Sequence, residues 1–200
     1  MTVAGKRERT KAANRAAILD AARVVFGEAG YGAASVRDII RRTDLAAGTF
    51  YNYFPDKESI FRALVDDIGA EARRRVQAAR RSATSPRGFI EDGYRAYFEF
   101  IVEDPSTFAF MARNSGTIRA FFDEGAVPLA GDELAEDLGA AVAAGLLPEM
   151  DLDYTAHAMV ALGVELGVRM IERDPPDVEG ATRFATELFL GGLERLSLPS

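Results

Sequence analysis

Residues 49–60 read TFYNYFPDKESI, which predicts the end of one short helix and the start of a longer one. Phe50 and Phe54 are four positions apart, so they share one face of the short helix and are expected to pack inward. Pro55 interrupts the helix, and Asp56 is typical of the N-cap that begins the next one. The pattern therefore predicts two helices separated by a sharp break.

Two further helices are predicted before this stretch. Ser35 and Asp38 form the S-x-x-D pattern of a near capping box, which indicates a short helix after residue 35. An earlier apolar stripe ends at Gly30, a residue type that favours the left-handed cap of a helix. The stripe consists of Ile18, Leu19, Ala22, Val25 and Phe26. Three small helices thus fit before residue 57.

Charge is distributed unevenly along the chain, whose formal net charge is −7. Residues 1–57 hold ten Lys and Arg against six Asp and Glu, a net charge of +4, whereas residues 58–200 hold fourteen against twenty-five, a net charge of −11. Any contact with phosphates therefore belongs to the first part. Two short helices at a sharp turn, supported by a third in a basic setting, are typical of a helix-turn-helix that reads the major groove.

The rest of the chain is also predicted to be helical. Apolar residues recur at helical spacing and no segment alternates with period two. Six more helices are expected, at 56–81, 86–103, 105–114, 153–173 and 177–196, with one in the less regular stretch 116–146. We predict an all-α fold, with a flexible basic arm at 1–15, a three-helix helix-turn-helix DNA-binding domain at 16–57 and a six-helix bundle at 58–200.

Residues 49–60 resemble the signature T-[LF]-Y-x-[HY]-F-x-x-K-x-x-[LI] of the TetR family of repressors. The resemblance extends upstream to Gly48 and to residues 30–31 and 35–39. The chain departs from the family pattern at Asp44, where glycine is usual, and at Ala46, where a capping serine is common. Loss of that cap is expected to destabilise the third helix by about 1 kcal/mol. Ala47 is a further departure, and all three bear on the operator sequence more than on DNA binding.

The resemblance implies a DNA-binding transcription regulator of the repressor type that acts as a homodimer. It implies that residues 58–200 form a ligand-binding and dimerisation domain, and that a small apolar or amphipathic effector releases the protein from a palindromic double-stranded DNA operator. The expected mechanism is a shift of the fourth helix that changes the separation of the two DNA-binding heads. A non-sensing architectural DNA-binding protein and a helical enzyme are the alternatives.

DNA contacts are expected from the second and third helices and from the start of the fourth. Arg37 is placed to make a two-donor contact with guanine, with a solvent-facing arginine as the alternative. Tyr51, Tyr53 and Lys57 are expected to contact phosphates, and the alternative for the tyrosines is an ordinary half-buried position. The complete predicted set is Ser35, Val36, Arg37, Ala47, Gly48, Thr49, Tyr51, Asn52, Tyr53 and Lys57.

Two clusters of basic residues lie outside the helix-turn-helix. The arm at 1–15 is expected to be disordered until it lies along DNA, and the alternative is a solubilising tail. Arg80 and Arg81 are expected to be solvated charges that match the dipole at the end of the fourth helix.

The middle of the chain is rich in aromatic side chains that suit an apolar or amphipathic effector. Polar residues on the eighth predicted helix are candidates for anchoring it. The predicted ligand-binding set is Tyr94, Tyr97, Phe98, Phe108, Met111, Phe121, Phe122, His157, Glu165 and Arg169. For each of these residues, a place in the core or on the surface is the alternative.

The last two helices are the candidate dimer interface. Small residues there allow close helix approach, and large apolar residues recur at helical spacing. The predicted interface residues are Gly163, Gly167, Phe184, Leu188, Gly192 and Leu196. A helix pair within one chain is the alternative.

Composition argues against several other functions. The chain has no cysteine and one histidine, so it offers no disulfide framework, no thiolate metal site and no histidine-based nucleophile pair, and we expect no cofactor, no metal and no enzymatic activity. The charged first residues do not resemble a signal peptide, and no apolar run reaches membrane-spanning length. A soluble cytoplasmic protein without a membrane partner is expected.

Overall fold

The computed structural model describes residues 3–123 and 131–196 of the chain. Within these ranges the chain forms nine α-helices and no β-strand, which confirms the predicted all-α fold. The helices are α1 (Val3–Ala33), α2 (Val36–Arg41), α3 (Ala47–Tyr51), α4 (Lys57–Arg81), α5 (Pro86–Glu103), α6 (Pro105–Asp123), α7 (Gly131–Ala143), α8 (Leu152–Ile171) and α9 (Val178–Leu196). None of the described helices is long and apolar enough to cross a bilayer.

Helix α1 begins at Val3 and so includes most of the segment that the sequence predicts as a flexible arm. Alanine, arginine and lysine make up most of this segment, and they are among the best helix formers. Its end is also fastened, because the Asn14 side chain donates to the Tyr53 hydroxyl at 3.1 Å and the Arg15 guanidinium binds the Asp67 carboxylate at 2.8 and 3.2 Å. The basic segment is therefore an extension of α1.

Gly30 interrupts α1 close to its end, as predicted. Its φ of 78° and ψ of 159° lie outside the helical region, and one more turn follows to Ala33. A positive φ of this kind is strained for residues that carry a Cβ, which explains the glycine. The amide of Ala34 then donates to the Gly30 carbonyl at 3.0 Å and completes the turn.

The two short helices follow with different caps. The Ser35 hydroxyl accepts from the Asp38 amide and the Asp38 carboxylate accepts from the Ser35 amide, so the predicted capping box is present on α2. Helix α3 begins after Ala46 without a side-chain cap, and it ends at Tyr51, whereas the sequence predicts a helix over 47–53. The amide of Tyr53 instead bonds the Phe50 carbonyl three residues back, which closes a tighter turn.

Helix α6 is longer than the sequence predicts. The expected end at Asn114 is absent and the helix continues through Gly116 to Asp123. A glycine inside a helix costs only about 1 kcal/mol, and burial of Ile118 and Phe121 beyond it offsets that loss. The predicted breaks near Gly125 and Pro128 lie outside the described residues.

The chain divides into two compact units. The first contains α1, α2, α3, α6 and the part of α4 up to Ile68. The second contains the part of α4 from Gly69 together with α5, α7, α8 and α9. The compact unit that holds the helix-turn-helix is thus larger than residues 16–57, because it includes α6.

A cluster of aromatic rings forms the core of the first unit. Phe61 lies 5.3 Å from Phe26, 5.4 Å from Phe110, 5.2 Å from Phe121 and 4.7 Å from Tyr31 between ring centroids. Such pairs add roughly 0.5–1.5 kcal/mol each beyond the burial of their area. The cluster fixes α6 and the start of α4 on the end of α1.

One buried amide completes this core. Asn114 is 2% exposed, and its Nδ2 donates to the carbonyls of Phe26 at 2.9 Å and Phe110 at 2.8 Å. Its Oδ1 accepts from the Tyr31 amide at 2.7 Å. A side chain of α6 thus satisfies the backbone where α1 is interrupted, and a buried amide with these partners specifies one arrangement of the two helices.

In the second unit, α5 packs on α8 and α9, and α7 packs on α8. Gly163 and Gly167 on α8 admit the rings of α5: Tyr94 lies 3.3 Å from the position a Cβ would take at Gly163, and Tyr97 lies 3.3 Å from that position at Gly167. The small residues of α8 therefore allow close packing inside the chain.

Candidate nucleic-acid interface and effector site

Helix α2 presents one unpaired guanidinium. Arg37 is exposed and forms no ion pair or hydrogen bond with the described residues. On the same helix Arg41 lies 3.6 Å from the Asp38 carboxylate, and Ile39 is fully buried. The Ser35 hydroxyl and amide hold the pKa of Asp38 below its usual value. The capping box thus fixes the helix that carries Arg37, while Val36 is half-buried and Ser35 lies at the exposed start.

Helix α3 carries one buried and one exposed aromatic side chain. Phe50 is fully buried and Phe54, just beyond the helix, is 6% exposed, as predicted. Tyr51 is 52% exposed. Of the other residues predicted to contact DNA here, Thr49 is half-buried. The exposed ones are Ala47, Gly48 and the C-cap residue Asn52. The arrangement leaves a tyrosine hydroxyl and an amide available on the outer side of α3.

Lys57 occupies a different position from the one that the sequence predicts. Its Nζ donates to the carbonyls of Tyr31 at 2.7 Å, Ala34 at 3.1 Å and Gly32 at 3.4 Å. It also lies 4.4 Å from the centroid of the Tyr31 ring. The three N–H groups of the Lys57 ammonium already donate to carbonyls at the end of α1. They are therefore not free to bind a phosphate. Tyr53 is half-buried and bonded to Asn14.

The predicted effector residues of α6 lie in the first unit. Phe121 is buried against Phe61 and Tyr31, so it belongs to the aromatic core. Phe108 and Met111 are half-buried. The side chain of Phe122 lies outside the described residues. An open groove of about 410 Å³ on this unit is lined by Gly27, Ala109, Ala112 and Arg113, and none of the predicted effector residues whose side chains the structure describes is among its lining.

The predicted effector residues of α5 lie in the second unit. Phe98 is fully buried and Tyr94 is 5% exposed, with its hydroxyl donating to the Met159 carbonyl at 3.0 Å. Burial raises the pKa of Tyr97 to about 12. No described residue forms a hydrogen bond with the Tyr97 hydroxyl. The ring of Tyr94 lies against Gly163 of α8, and the ring of Tyr97 lies against Gly167.

The three predicted polar anchors of α8 are surface residues. His157 is exposed, and its Nδ1 lies 2.9 Å from the carbonyl of Asp153 one turn earlier. Arg169 is exposed and binds Glu165 and Glu172, each at 3.2 Å. These pairs are local to the end or the course of α8, and none of the described hydrogen bonds joins His157 or Arg169 to a ring of α5.

The predicted dimer residues fall into two groups. Gly163 and Gly167 are buried against α5 of the same chain, so the expectation that they line a dimer interface is corrected. Phe184 is 56% exposed and Leu188 is 53% exposed. Gly192 follows them on the same face of α9, with open space at its Cβ position. The side chain of Leu196 lies outside the described residues.

Arg80 is a residue whose position the sequence does not predict. The sequence predicts a solvated side chain, but its Nε is buried, and no hydrogen bond is formed by that atom within the described residues. Burial lowers the pKa of Arg80 to about 10, partly offset by the nearby Asp137 carboxylate. The position of Arg80 in a run of basic residues gives no sign of this burial. The feature of the sequence that is related to this burial is Gly93 on α5, because a Cβ at that position would lie 2.9 Å from the Arg80 Nε.

Comparison with known proteins agrees with the resemblance of the first helices to the TetR family. Residues 18–64 match the family described as bacterial regulatory proteins, tetR family. An uncharacterized HTH-type transcriptional regulator of Haemophilus influenzae is 30% identical over 138 residues, which are 67% of each chain.

Solved structures extend the likeness to nearly the whole chain. A TetR-family transcriptional regulator from Pectobacterium atrosepticum is 26% identical and covers 96% of this chain and 97% of its own, with a TM-score of 0.69. The fatty acid degradation regulator FadR from Bacillus halodurans is 24% identical, with coverage of 90% and 95% and a TM-score of 0.71. FadR from Bacillus subtilis, solved in complex with stearoyl-CoA, is 22% identical, with coverage of 88% and 97% and a TM-score of 0.69.

The capped α2, the turn and the outer face of α3 therefore define a helix-turn-helix DNA-binding transcription regulator. Because residues 18–64 match this family and a transcriptional regulator is 30% identical over 67% of both chains, the protein belongs to the tetR family of bacterial regulatory proteins.

Proposed function

We propose that the protein is a repressor that binds a palindromic operator as a homodimer and is released by a small apolar or amphipathic effector. The observation that carries this proposal is that the first unit exposes both an unpaired Arg37, on the capped helix α2, and Tyr51, on α3. An exposed arginine without an internal partner keeps its five donors for a guanine edge or a phosphate.

The proposed DNA contacts divide by role. Arg37 reads a base, while Thr49 and Asn52 reach base edges or thymine methyl groups. Tyr51 donates its hydroxyl to a phosphate and fixes the register. Ala47 and Gly48 allow close approach of the DNA backbone. Lys57 is left out of this set because its ammonium already holds the end of α1.

The proposed dimer interface is the exposed apolar face of α9. Phe184 and Leu188 are four residues apart, and the open Gly191 and Gly192 follow one turn later. Large apolar side chains that are half or more exposed and adjacent mark an interaction surface. On α8, Tyr154 is 76% exposed and provides a further ring. A two-fold pairing of these helices would give one recognition element for each operator half-site.

The proposed effector domain is the second unit, with α4 transmitting the signal because it runs through both units. The aromatic α5 provides its apolar surface. Stearoyl-CoA bound to the similar FadR of Bacillus subtilis favours an acyl compound as the class to be tested. Effector binding releases DNA to the extent that the effector prefers the arrangement that does not fit the operator.

The decisive experiment is selection from random double-stranded DNA with the full-length protein, followed by binding of the enriched site across a salt series. We expect a palindrome with half-sites about one helical turn apart. Arg37→Ala should lose preference at one base pair, by about 1–3 kcal/mol, and Tyr51→Phe should weaken binding to all sequences alike. Arg74→Ala, which removes one exposed charge from the second unit, is the matched control.

Adding acyl compounds to the protein bound to its selected site then tests release. Recovery of no site, with binding equally weak in wild type, Arg37→Ala and Tyr51→Phe, would reject a sequence-specific repressor. Strong binding without sequence preference or release would instead favour the architectural alternative.

A further inference from the structure

The second unit contains a half-buried cation whose buried Nε forms no hydrogen bond within the described residues. Arg80 turns its side chain inward from α4, with Nε 2.9 Å from the position a Cβ would take at Gly93 and the guanidinium 5.9 Å from the centroid of the Phe89 ring. Its Nε is buried, and no described residue forms a hydrogen bond or an ion pair with Arg80. A cation held in such a position without a hydrogen bond destabilises the fold, so its presence calls for an explanation.

The neighbouring carboxylate does not provide the missing partner. Asp137 on α7 is near enough to attract Arg80. Its Oδ1, however, lies 3.5 Å from the Gln77 amide and 3.7 Å from Nε of Arg81. Asp137 thus partly compensates the charge of Arg80 and leaves the hydrogen-bond donors of the guanidinium unsatisfied.

A second side-chain donor that forms no hydrogen bond within the described residues, the hydroxyl of the half-buried Tyr97, lies one turn along α5. Tyr97 follows Gly93 by four residues, so the two share a helix face. The hydroxyl of Tyr97 has no described partner, whereas that of Tyr94 donates to the Met159 carbonyl. A tyrosine hydroxyl is protonated at neutral pH, and burial raises the pKa of Tyr97 further, to about 12, so this hydroxyl can donate.

Apolar residues lie beside these two donors: Phe89 lies next to the Arg80 guanidinium, Phe98 lies 5.5 Å from Tyr97 between ring centroids, and Ile101 packs with Tyr97 on Gly167. On α5, Phe98 is fully buried and Ile101 is 2% exposed, and on α8, Met159 is 3% exposed. Two donors without an acceptor, set among apolar side chains, suit a ligand that has an anionic head and an apolar tail.

We propose that Arg80 and Tyr97 bind the anionic head, a carboxylate or a phosphate, of an amphipathic effector whose tail lies among the apolar residues of α5 and α8. This inference rests on the proposed effector function and names the chemical class of the effector. Arg80 supplies charge and paired donors, and Tyr97 supplies one further hydrogen bond.

The test is calorimetric binding of three ten-carbon compounds to the full-length protein without DNA. Decanoate and decyl phosphate carry the two anionic heads, and decanol is neutral. We expect wild type to bind at least one anion about tenfold or more tightly than decanol, the factor typical of one charge-assisted hydrogen bond. Comparison of decanoate with decyl phosphate identifies the head group.

The variants separate the site from general charge effects. Arg80→Met should bind the anion and decanol alike, and Tyr97→Phe should weaken binding of the anion several-fold without changing that of decanol. Arg81→Met removes the adjacent, exposed arginine and should keep the preference. Thermal unfolding without ligand confirms that each variant is folded, and Arg80→Lys, which retains the charge, should keep part of the preference.

Three results would overturn the assignment: persistence of the anion preference in Arg80→Met, equal binding of anions and decanol by wild type, or binding of none of the three compounds. Each leaves the repressor proposal standing, because that proposal is tested by operator selection and release. Conversely, an intact anion preference without release of DNA would reject the effector role and retain the site.

Discussion

Asn114 in the first unit and Arg80 in the second are both polar side chains turned into the protein, but their surroundings differ. Asn114 makes three hydrogen bonds, to Phe26, Tyr31 and Phe110. Arg80 makes none with the described residues. A satisfied buried polar group specifies one arrangement of the fold, whereas an unsatisfied one calls for a separate explanation.

The difference assigns different tasks to the two units. In the first, Asn114 and the aromatic cluster hold α6 on α1 and so support the helices that carry Arg37 and Tyr51. In the second, Arg80 and Tyr97 leave donors available. We therefore expect substitutions in the first unit to lower stability, and substitution of Arg80 to change ligand preference without such a loss.

The largest effect is expected from Phe61→Ala. The ring of Phe61 is fully buried and touches four other rings of the cluster, so its removal leaves a cavity in the first unit. We expect the free energy of unfolding to fall by about 3–5 kcal/mol, as measured by urea denaturation. Tyr51→Ala, at an exposed ring, is the control and should change it by less than about 0.5 kcal/mol. Equal losses in the two variants would show that the cluster is not the core.

Asn114→Leu should give the next largest loss. Leucine fills a similar volume but leaves the Tyr31 amide and the Phe26 carbonyl without the Asn114 bonds, so we expect the free energy of unfolding to fall by about 2–3 kcal/mol. The neighbouring exposed Arg113→Leu serves as the control. An Asn114→Leu protein as stable as wild type would break the contrast drawn with Arg80.

Arg80→Met should act in the opposite direction. Replacing a half-buried cation whose Nε has no hydrogen bond by an apolar side chain of similar length removes part of a desolvation penalty, and we expect the free energy of unfolding to rise by about 1 kcal/mol in the absence of ligand. Thermal and urea unfolding measure this change. A loss of several kcal/mol would mean that the Arg80 side chain stabilises the fold, and it would contradict the description of Arg80 as a cation without a hydrogen bond.

A smaller effect is expected from Ser35→Ala. Removing the hydroxyl takes away one half of the capping box on α2, which should lower the free energy of unfolding by about 1 kcal/mol. Ser115→Ala, at a half-buried serine inside α6, is the matched control. Because α2 carries Arg37, operator binding should weaken as well, and unchanged DNA binding would separate the cap from the recognition surface.

The smallest effect concerns pH. Ser35 holds the pKa of Asp38 below its usual value in the folded state, so the stabilisation from Asp38 is present above the unfolded-state pKa and disappears as pH falls through the lowered folded-state pKa. The difference in the free energy of unfolding between wild type and Asp38→Asn should therefore become smaller as the pH falls. Asp44→Asn, at an exposed turn residue, is the control. A difference that widens in acid would contradict the assignment.

The sequence by itself determined the local features of the fold. The capping box at Ser35, the break at Gly30, the N-cap at Asp56 and the inward rings Phe50 and Phe54 follow from short-range physics, in which each residue acts through neighbours within about four positions. The same local pattern identified the helix-turn-helix and its family.

Only the tertiary structure decided the rest. It assigned the donors of Lys57 to carbonyls 23 to 26 residues away, joined Asn114 to backbone 83 and 88 residues earlier, and buried Gly163 and Gly167 against α5. It also buried Arg80 within a run of basic residues that local reasoning assigns to solvent. Such contacts depend on which distant helices meet, and helical periodicity specifies an apolar face without naming the helix that covers it.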